Sequence, residues 1–170
     1  MVLIKRLHNA VFLCYTFVGD DNMLVAIASD HRGFELKNKI KEYYKDKYEF
    51  KDLGTYSSDS CDYPDFGFKL GEYVRDNSVF GIAICGSGIG ISIACNKVKG
   101  IRCAKVSNAD EAYYTRNDND ANIVAFSGDT SLEDAISIIN KFLNTPFSNI
   151  DRHKRRINKI SLYEEGKYEC

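Results

Sequence analysis

A cysteine ends an apolar stretch of the chain and is followed at once by a loop in which glycine alternates with other residues. The stretch reads FGIAICGSGIG, with Cys85 followed by Gly86, Gly88 and Gly90. A cysteine in a strand is usually a buried apolar residue. Where the strand ends and faces the start of a helix, however, the local field is positive and suits a thiolate, which can act as a general base. Its position makes Cys85 a candidate for proton transfer.

The glycine loop after Cys85 is a candidate anion site. Glycine permits backbone conformations in which several N–H groups converge on one oxyanion or phosphate. The alternating glycines match neither the phosphate loop of nucleotide hydrolases nor the complete dinucleotide fingerprint. A tight strand-to-helix turn explains the loop equally well when it is considered alone. Beside a base, it is better interpreted as a set of main-chain donors for an oxyanion.

A second polar pair, Asp30 and His31, follows another apolar run, MLVAIASD. Asp30 could simply cap the next helix, and His31 could be an exposed turn residue. Both follow a strand of the buried type, as Cys85 does, and the carboxyl ends of parallel strands open on a shared crevice. We therefore expect Asp30, His31 and Cys85 to face one site.

The basic segment DRHKRR near the carboxyl terminus is a candidate phosphate clamp. Arg152 and Arg156 are four residues apart and so lie on one face of a helix. Two guanidinium groups there suit the forked recognition of a phosphate monoester. The alternative is a solvated basic face. A formal net charge of -1 and the lack of a stacking motif argue against a nucleic-acid partner.

The elements that position these residues alternate regularly between strand and helix. From Met23 onward, short apolar runs alternate with helical patterns, which predicts a single doubly wound, Rossmann-like α/β domain with an added C-terminal helix. Asn108 and Ser131 are the predicted caps of two of its helices. The first helix is expected to run from Gly33 to about Lys47. The five predicted parallel strands are 23–30, 48–54, 79–85, 101–106 and 121–128.

Composition indicates an ordinary soluble domain. The 170 residues are 44% apolar and 28% charged, and no run approaches the roughly 18 apolar residues that span a bilayer. The six cysteines form no C-x-x-C pair and no zinc-like spacing, which favours a reduced cytoplasmic protein without a metal site. Residues 1–22 weakly resemble a signal peptide but lack a small-x-small cleavage site. We interpret them as an extension outside a domain at 23–166.

Five motifs together resemble the type B ribose-5-phosphate isomerases, a family that includes allose-6-phosphate and galactose-6-phosphate isomerases. They occur in order from Met23 to about Glu165 and read SDHRGFELK, DLGTYSSDSCDYPDF, GIAICGSGIGISIACNKVKGIRCA, NDANIVAF and RHKRRINKI. The resemblance implies interconversion of ribose 5-phosphate and ribulose 5-phosphate through an enediolate, as in the pentose phosphate pathway. It also implies that neither a metal nor an organic cofactor takes part.

The resemblance implies roles for the residues around the cysteine. Cys85 matches the family's base, which moves a proton between C1 and C2 of the sugar. Ser87 matches a neighbouring hydroxyl position. The main-chain amides from Gly86 to Gly90, including that of Ile89, match the anion hole for the enediolate oxygen.

The resemblance also implies how the rest of the substrate is held. Asp30, His31 and Asn119 match substrate-binding positions. Arg152 and Arg156 match phosphate ligands, which in the family come across a dimer interface. We therefore expect a homodimer or tetramer with sites shared between subunits, a small sugar phosphate as ligand, and no nucleic-acid or membrane partner.

Two residues depart from the family pattern. Asp118 stands where family members usually have the histidine that opens the furanose ring, so an aspartate would relay that proton or leave ring opening to solvent. Asp129 replaces an arginine that many members carry after the fifth strand, and an anion there should weaken phosphate binding if it faces the site. Two alternatives to a ribose 5-phosphate isomerase stay open: an isomerase of a six-carbon sugar phosphate, and a non-catalytic sugar-phosphate-binding protein.

Overall fold

The structure is a computed structural model that describes residues 23–169. The proposed extension at 1–22 and the cysteines at positions 14 and 170 lie outside the described residues. Five strands and six helices follow one another in the order β1 (Met23–Ser29), α1 (Phe34–Tyr43), β2 (Tyr48–Asp52), α2 (Tyr63–Asn77), β3 (Phe80–Cys85), α3 (Ile89–Cys95), β4 (Cys103–Lys105), α4 (Ala109–Asn119), β5 (Ile123–Ser127), α5 (Leu132–Asn144) and α6 (Asp151–Glu164).

All five strands are parallel and form one sheet in the order β2-β1-β3-β5-β4. This confirms the predicted doubly wound α/β fold with a C-terminal helix. Along the central strands, Ser29 is opposite Ile84 and Cys85 is opposite Ser127, so β1, β3 and β5 end at nearly the same level. The loops that follow these three strands therefore share one edge of the sheet, which we call the carboxyl edge.

The sheet separates two apolar cores, one on each face. One core contains Ile82 and Ile84 of β3 and is covered by α1, α4 and α5. The other contains Ala83 and Cys85 of the same strand and is covered by α2 and α3. Because side chains alternate along a strand, β3 contributes to both cores. Cys85 is thus directed toward α2 and α3.

Side-chain caps at two helix starts confirm the sequence predictions. The side chain of Asn108 accepts a hydrogen bond from the main-chain N–H of Glu111, and that of Ser131 accepts one from Asp134. These caps satisfy N–H groups that have no partner within the helix. They fix the residues at which α4 and α5 begin, after β4 and β5.

The predicted end of the first helix is wrong by about four residues. Helix α1 ends at Tyr43, because Tyr44 turns inward, where its hydroxyl donates to Asn140 at 3.0 Å and its ring packs against Tyr48. The main-chain N–H of Tyr48 then donates to the carbonyl of Tyr44 at 3.0 Å, and β2 starts at Tyr48. The hydroxyl partner of Tyr44 is distant in sequence, so local periodicity could not reveal this turn.

Candidate functional site

Cys85 occupies the end of β3 with almost no exposure. Its side chain lies in the core between the sheet and helices α2 and α3, and the residue is 3% exposed. Its carbonyl accepts a hydrogen bond from the main-chain N–H of Gly128 at 2.8 Å, which ties the end of β3 to the loop after β5. The main chain at Cys85 is therefore fixed at the carboxyl edge, with the side chain packed beneath the loops that follow β3 and β5.

The glycine loop is pressed between β5 and α2, and this packing explains two of its glycines. Gly88 has a φ of 76°, and a Cβ on it would lie 2.7 Å from the carbonyl carbon of Phe126. A Cβ on Gly90 would lie 2.6 Å from the ring of Tyr63. A larger residue at position 88 would have to move the main chain, and one at position 90 would have to displace the Tyr63 ring. Within the loop, the hydroxyl oxygen of Ser87 accepts from the N–H of Ile89 at 3.2 Å, so an oxyanion would compete for that donor.

Asp30 lies beside the loop and is 5% exposed. Its Oδ1 accepts hydrogen bonds from the main-chain N–H groups of Arg32 at 2.9 Å and Gly33 at 3.0 Å. These bonds close the turn that precedes α1, whose N-cap is Gly33 without a side-chain capping bond, so Asp30 is not the cap of that helix. Among residues 23–169 the described bonds of this carboxylate all use Oδ1, so Oδ2 is the oxygen that could accept from a substrate hydroxyl.

His31 is oriented by a residue that sequence reasoning missed. Its Nδ1 accepts a hydrogen bond from the main-chain N–H of Cys61 at 3.2 Å, and the sulfur of Cys61 is 3.8 Å from the same nitrogen. An accepting Nδ1 places the proton of the neutral ring on Nε2. His31 can then donate from Nε2 to a ligand at the carboxyl edge. Cys61 is 30 residues away in a turn-rich loop, and nothing in its local sequence marks this contact.

The other predicted site residues form a second cluster around the end of α4. Helix α4 runs back from the carboxyl edge and ends at Asn119, whose carbonyl accepts from Arg102 Nε at 3.0 Å, one residue before β4. This places Asp118 and Asn119 at the opposite edge of the sheet, which we call the amino edge. The Oδ1 of Asp118 accepts from the Asn117 side chain at 2.6 Å.

His153 of α6 joins the amino-edge cluster and holds Arg152. The histidine is 4% exposed; its Nδ1 lies 3.0 Å from the carbonyl oxygen of Asp118, and its Nε2 accepts from Arg152 Nε at 3.0 Å. A carbonyl can only accept, so Nδ1 carries the proton, and the neutral ring satisfies both partners. The terminal nitrogens of the Arg152 guanidinium are left for an anion. Arg156 lies one turn further along α6 and is exposed.

The structure thus brings the predicted residues together in two groups. The carboxyl-edge group contains Asp30, His31 and the segment from Cys85 to Gly90. The amino-edge group contains the end of α4 and the start of α6. The two groups are separated along the strands by on the order of 15 Å, about the length of β3. One copy of the chain does not assemble the complete predicted site.

A buried lysine under the carboxyl edge was also missed. The Lys37 side chain is fully buried, and its Nζ donates to Asp52 Oδ1 and to the carbonyl of Thr55, both at 2.6 Å. Burial lowers the pKa of Lys37, although Asp52 opposes the shift. Burial also acts to raise the pKa of Asp52, but hydrogen bonds from Lys37 and Lys41 outweigh it and leave that pKa below its usual value. The sequence could have indicated this burial, because Lys37 lies on the apolar face of the first helix with Leu36 and Ile40.

Other features of residues 23–169 lie apart from these groups. No three His, Cys, Asp or Glu side chains in this range are clustered so that they could hold a metal ion. No helix in the same range is both long and apolar enough to cross a bilayer. A surface groove on α5, lined by Ser137, Asn140, Lys141, Asn144 and Thr145, includes none of the predicted site residues.

Comparison with known families decides the relationship. The model of the family described as Ribose/Galactose Isomerase matches residues 25–160. The chain belongs to this family. The putative sugar phosphate isomerase YwlF of Bacillus subtilis is 46% identical over 148 residues, covering 84% of this chain and 98% of the relative. The probable ribose-5-phosphate isomerase B of Mycoplasma genitalium is 40% identical over 146 residues, covering 83% and 95%.

Solved structures of this isomerase family share the fold. Ribose-5-phosphate isomerase B of Clostridium thermocellum superimposes with a TM-score of 0.81 at 43% identity, covering 85% of this chain and 99% of that one. The Mycoplasma genitalium ribose-5-phosphate isomerase B with bound ribulose-5-phosphate has a TM-score of 0.79 at 40% identity, covering 84% and 97%. The predicted family and fold are both confirmed.

Proposed function

We propose that this protein is an aldose–ketose isomerase that interconverts ribose 5-phosphate and ribulose 5-phosphate. The observation that carries the proposal is the arrangement at the carboxyl edge, where Cys85 and the glycine loop follow β3, and Asp30 and His31 follow the neighbouring strand β1. A family member with 40% identity and the same fold binds ribulose-5-phosphate, which supports the substrate class.

In the proposed reaction the thiolate of Cys85 removes the proton from C2 of the open-chain aldose. The electron pair moves into the C1–C2 bond, and the C1 carbonyl oxygen takes the negative charge of the resulting enediolate. Main-chain N–H groups between Gly86 and Gly90 stabilise that oxygen, with Ser87 beside them. The thiol then returns the proton to C1 while a proton shifts between the two oxygens, giving the ketose. No bond to the enzyme forms, and no redox partner is needed.

Asp30 and His31 are proposed to orient the sugar. Oδ2 of Asp30 can accept from a sugar hydroxyl, and Nε2 of His31 can donate to an oxygen of the same ligand. Both side chains are anchored through their other polar atom, by backbone N–H groups of Arg32, Gly33 and Cys61. Anchored groups lose little conformational entropy when the substrate binds.

We further propose that two copies of the chain complete each site. The amino-edge group, with Asp118, Asn119, Arg152 and Arg156, would come from the partner copy to meet the carboxyl-edge group. In that arrangement the two arginines bind the phosphate and Asn119 contacts the sugar. Exposed apolar side chains next to both groups support this pairing, because such surfaces are favoured at interfaces. They are Phe68, Ile89 and Ile93 beside the loop, and Tyr113 and Tyr114 on α4.

A coupled assay of the purified protein with ribose 5-phosphate tests the proposal. The same assay with allose 6-phosphate and galactose 6-phosphate compares kcat/KM across five- and six-carbon sugars. We expect the highest value for ribose 5-phosphate. A preference for a six-carbon sugar would change the substrate but keep the reaction. Binding of sugar phosphates without turnover would identify a non-catalytic member of the family.

A further inference from the structure

Arg32 and Asp129 form an ion pair at the carboxyl edge, on the outer side of the glycine loop. The Nη2 of Arg32 donates to Asp129 Oδ2 at 3.3 Å, and their side chains are 57% and 73% exposed. The two residues follow β1 and β5, on either side of Cys85. Ion pairs this exposed contribute little to folding stability. Folding stability therefore does not explain the pair, and a role in ligand binding is the alternative.

The Arg32 side chain extends over the first residue of the glycine loop. A Cβ added to Gly86 would lie 3.0 Å from Arg32 Cδ and 3.2 Å from Nε. Asp129 is fixed to the same residue through Ser127, whose hydroxyl accepts from the N–H of Asp129 at 3.0 Å and donates to the carbonyl of Gly86 at 2.7 Å. Arg32 and Asp129 are thus both held next to Gly86, the first residue of the proposed anion site.

We propose that Arg32 binds the phosphate group of the substrate and that Asp129 positions its guanidinium. This inference rests on the proposed function. Cys85 is 3% exposed, whereas the Arg32 side chain is 57% exposed. A sugar phosphate that extends from the sulfur past the glycine loop toward solvent would therefore bring its far end, which carries the phosphate, to the terminal nitrogens of Arg32. Asp129 engages one of five guanidinium N–H donors, which leaves others for forked contacts with phosphate oxygens.

The pair also accounts for the residue at position 129. A lone carboxylate near a phosphate dianion would repel it, but Arg32 neutralises that charge at 3.3 Å. The loop after β1 therefore supplies the cation that offsets the carboxylate in the loop after β5. Within this pair, Arg32 contacts the substrate and Asp129 acts only by positioning Arg32.

Substitution Arg32→Gln tests the contact. We expect KM for ribose 5-phosphate to rise about tenfold with kcat within about twofold, because a charged hydrogen bond to phosphate is present both before and during the reaction. The inhibition constant of inorganic phosphate should rise similarly. Arg75→Gln, which removes an exposed arginine paired with Asp76 at the end of α2, is the matched control and should change neither. An unchanged KM, or a fall in kcat alone, would overturn the assignment.

The double variant Arg32→Gln/Asp129→Asn tests the positioning role. Loss of Arg32 alone leaves an unpaired carboxylate facing the phosphate, so removing that charge should recover part of the lost affinity. Asp129→Ala alone should raise KM with kcat little changed, because the guanidinium loses the acceptor that positions it, and Asp129→Asn, which keeps an acceptor oxygen for Arg32, should raise KM less. A double variant no better than Arg32→Gln would show that Asp129 does not face the ligand.

Calorimetric titration with inorganic phosphate separates this inference from the proposed function. If the wild-type protein binds phosphate but does not isomerise ribose 5-phosphate, the proposed function fails, and weaker phosphate binding by Arg32→Gln still supports the Arg32 contact. If the wild-type protein isomerises the sugar and Arg32→Gln binds phosphate as well as wild type does, only the Arg32 inference fails.

Discussion

At the scale of single residues, Asp118 is the position whose contacts bear most directly on ring opening. Its carboxylate accepts from the Asn117 side chain at 2.6 Å, and its carbonyl is 3.0 Å from His153 Nδ1. A carboxyl group at this place could pass a proton to the ring oxygen of a bound furanose. The resemblance suggested the position, but the link to Arg152 through His153 became visible only in three dimensions.

Substitution Asp118→Asn tests ring opening. It keeps an oxygen for Asn117 but cannot transfer a proton, so we expect turnover of ribose 5-phosphate to fall about a hundredfold. Erythrose 4-phosphate cannot close a furanose ring, because the oxygen needed is esterified, and its conversion should change by less than about twofold. Parallel assays of both sugars measure the difference. Equal losses for the two sugars would exclude a ring-opening role.

At the scale of elements, strands and caps were predictable because they depend on local pattern. Buried apolar runs marked β1, β3 and β5, and Asn108 and Ser131 marked helix starts by their side-chain oxygens. The orientation of His31 was not predictable, because its partner Cys61 lies in a loop held by tertiary contacts. The same is true of Lys37, which reaches from α1 to Asp52 and Thr55 beneath that loop.

Substitution Asp52→Asn tests how much the buried network contributes to stability. Removing one partner leaves Lys37 buried with an uncompensated charge, so we expect the free energy of unfolding at pH 7 to fall by about 3 kcal/mol. Urea denaturation measures this loss. Glu42→Gln, in the exposed pair with Lys45, is the matched control and should unfold like wild type. A wild-type denaturation midpoint for Asp52→Asn would contradict the account.

The same network gives a pH dependence. The folded state lowers the pKa of Asp52 below its usual 3.8, so its ionised form stabilises the fold above that value. This stabilisation is lost as the pH falls from about 4 through the folded-state pKa. The difference in stability between wild type and Asp52→Asn should therefore shrink in acid. A difference that stays constant down to pH 2 would rule out titration of Asp52 as the cause.

At the scale of the whole molecule, the two residue groups at opposite edges of the sheet are the central structural fact. Sequence patterns identified members of both groups, but periodicity alone could not place them on different edges. That depends on α4 running back across the sheet to end near the start of β4. A site built from both groups needs two copies of the chain.

Subunit mixing tests this arrangement. Cys85→Ala and Arg156→Ala should each be nearly inactive, but equal mixing with subunit exchange should restore about a quarter of wild-type activity, because half the dimers are hybrids with one intact site. As a matched control, wild type mixed equally with the double variant Cys85→Ala/Arg156→Ala should fall from one half to about a quarter of wild-type activity, because its hybrids have no intact site. Native mass spectrometry of each mixture measures subunit exchange independently. No recovery in the first mixture and one half activity in the control, with hybrids present in both, would show that sites are not shared.

Hydrogen exchange at the sugar carbons, followed by NMR in heavy water, tests the role of the thiol most directly. With wild-type protein, we predict that ribose 5-phosphate acquires deuterium at C2 as ribulose 5-phosphate forms. With Cys85→Ala, we predict that both exchange and turnover fall below a few per cent of the wild-type rates, while the affinity for inorganic phosphate is unchanged. Deuterium incorporation at the wild-type rate in Cys85→Ala would contradict the account, because another group would then be the base.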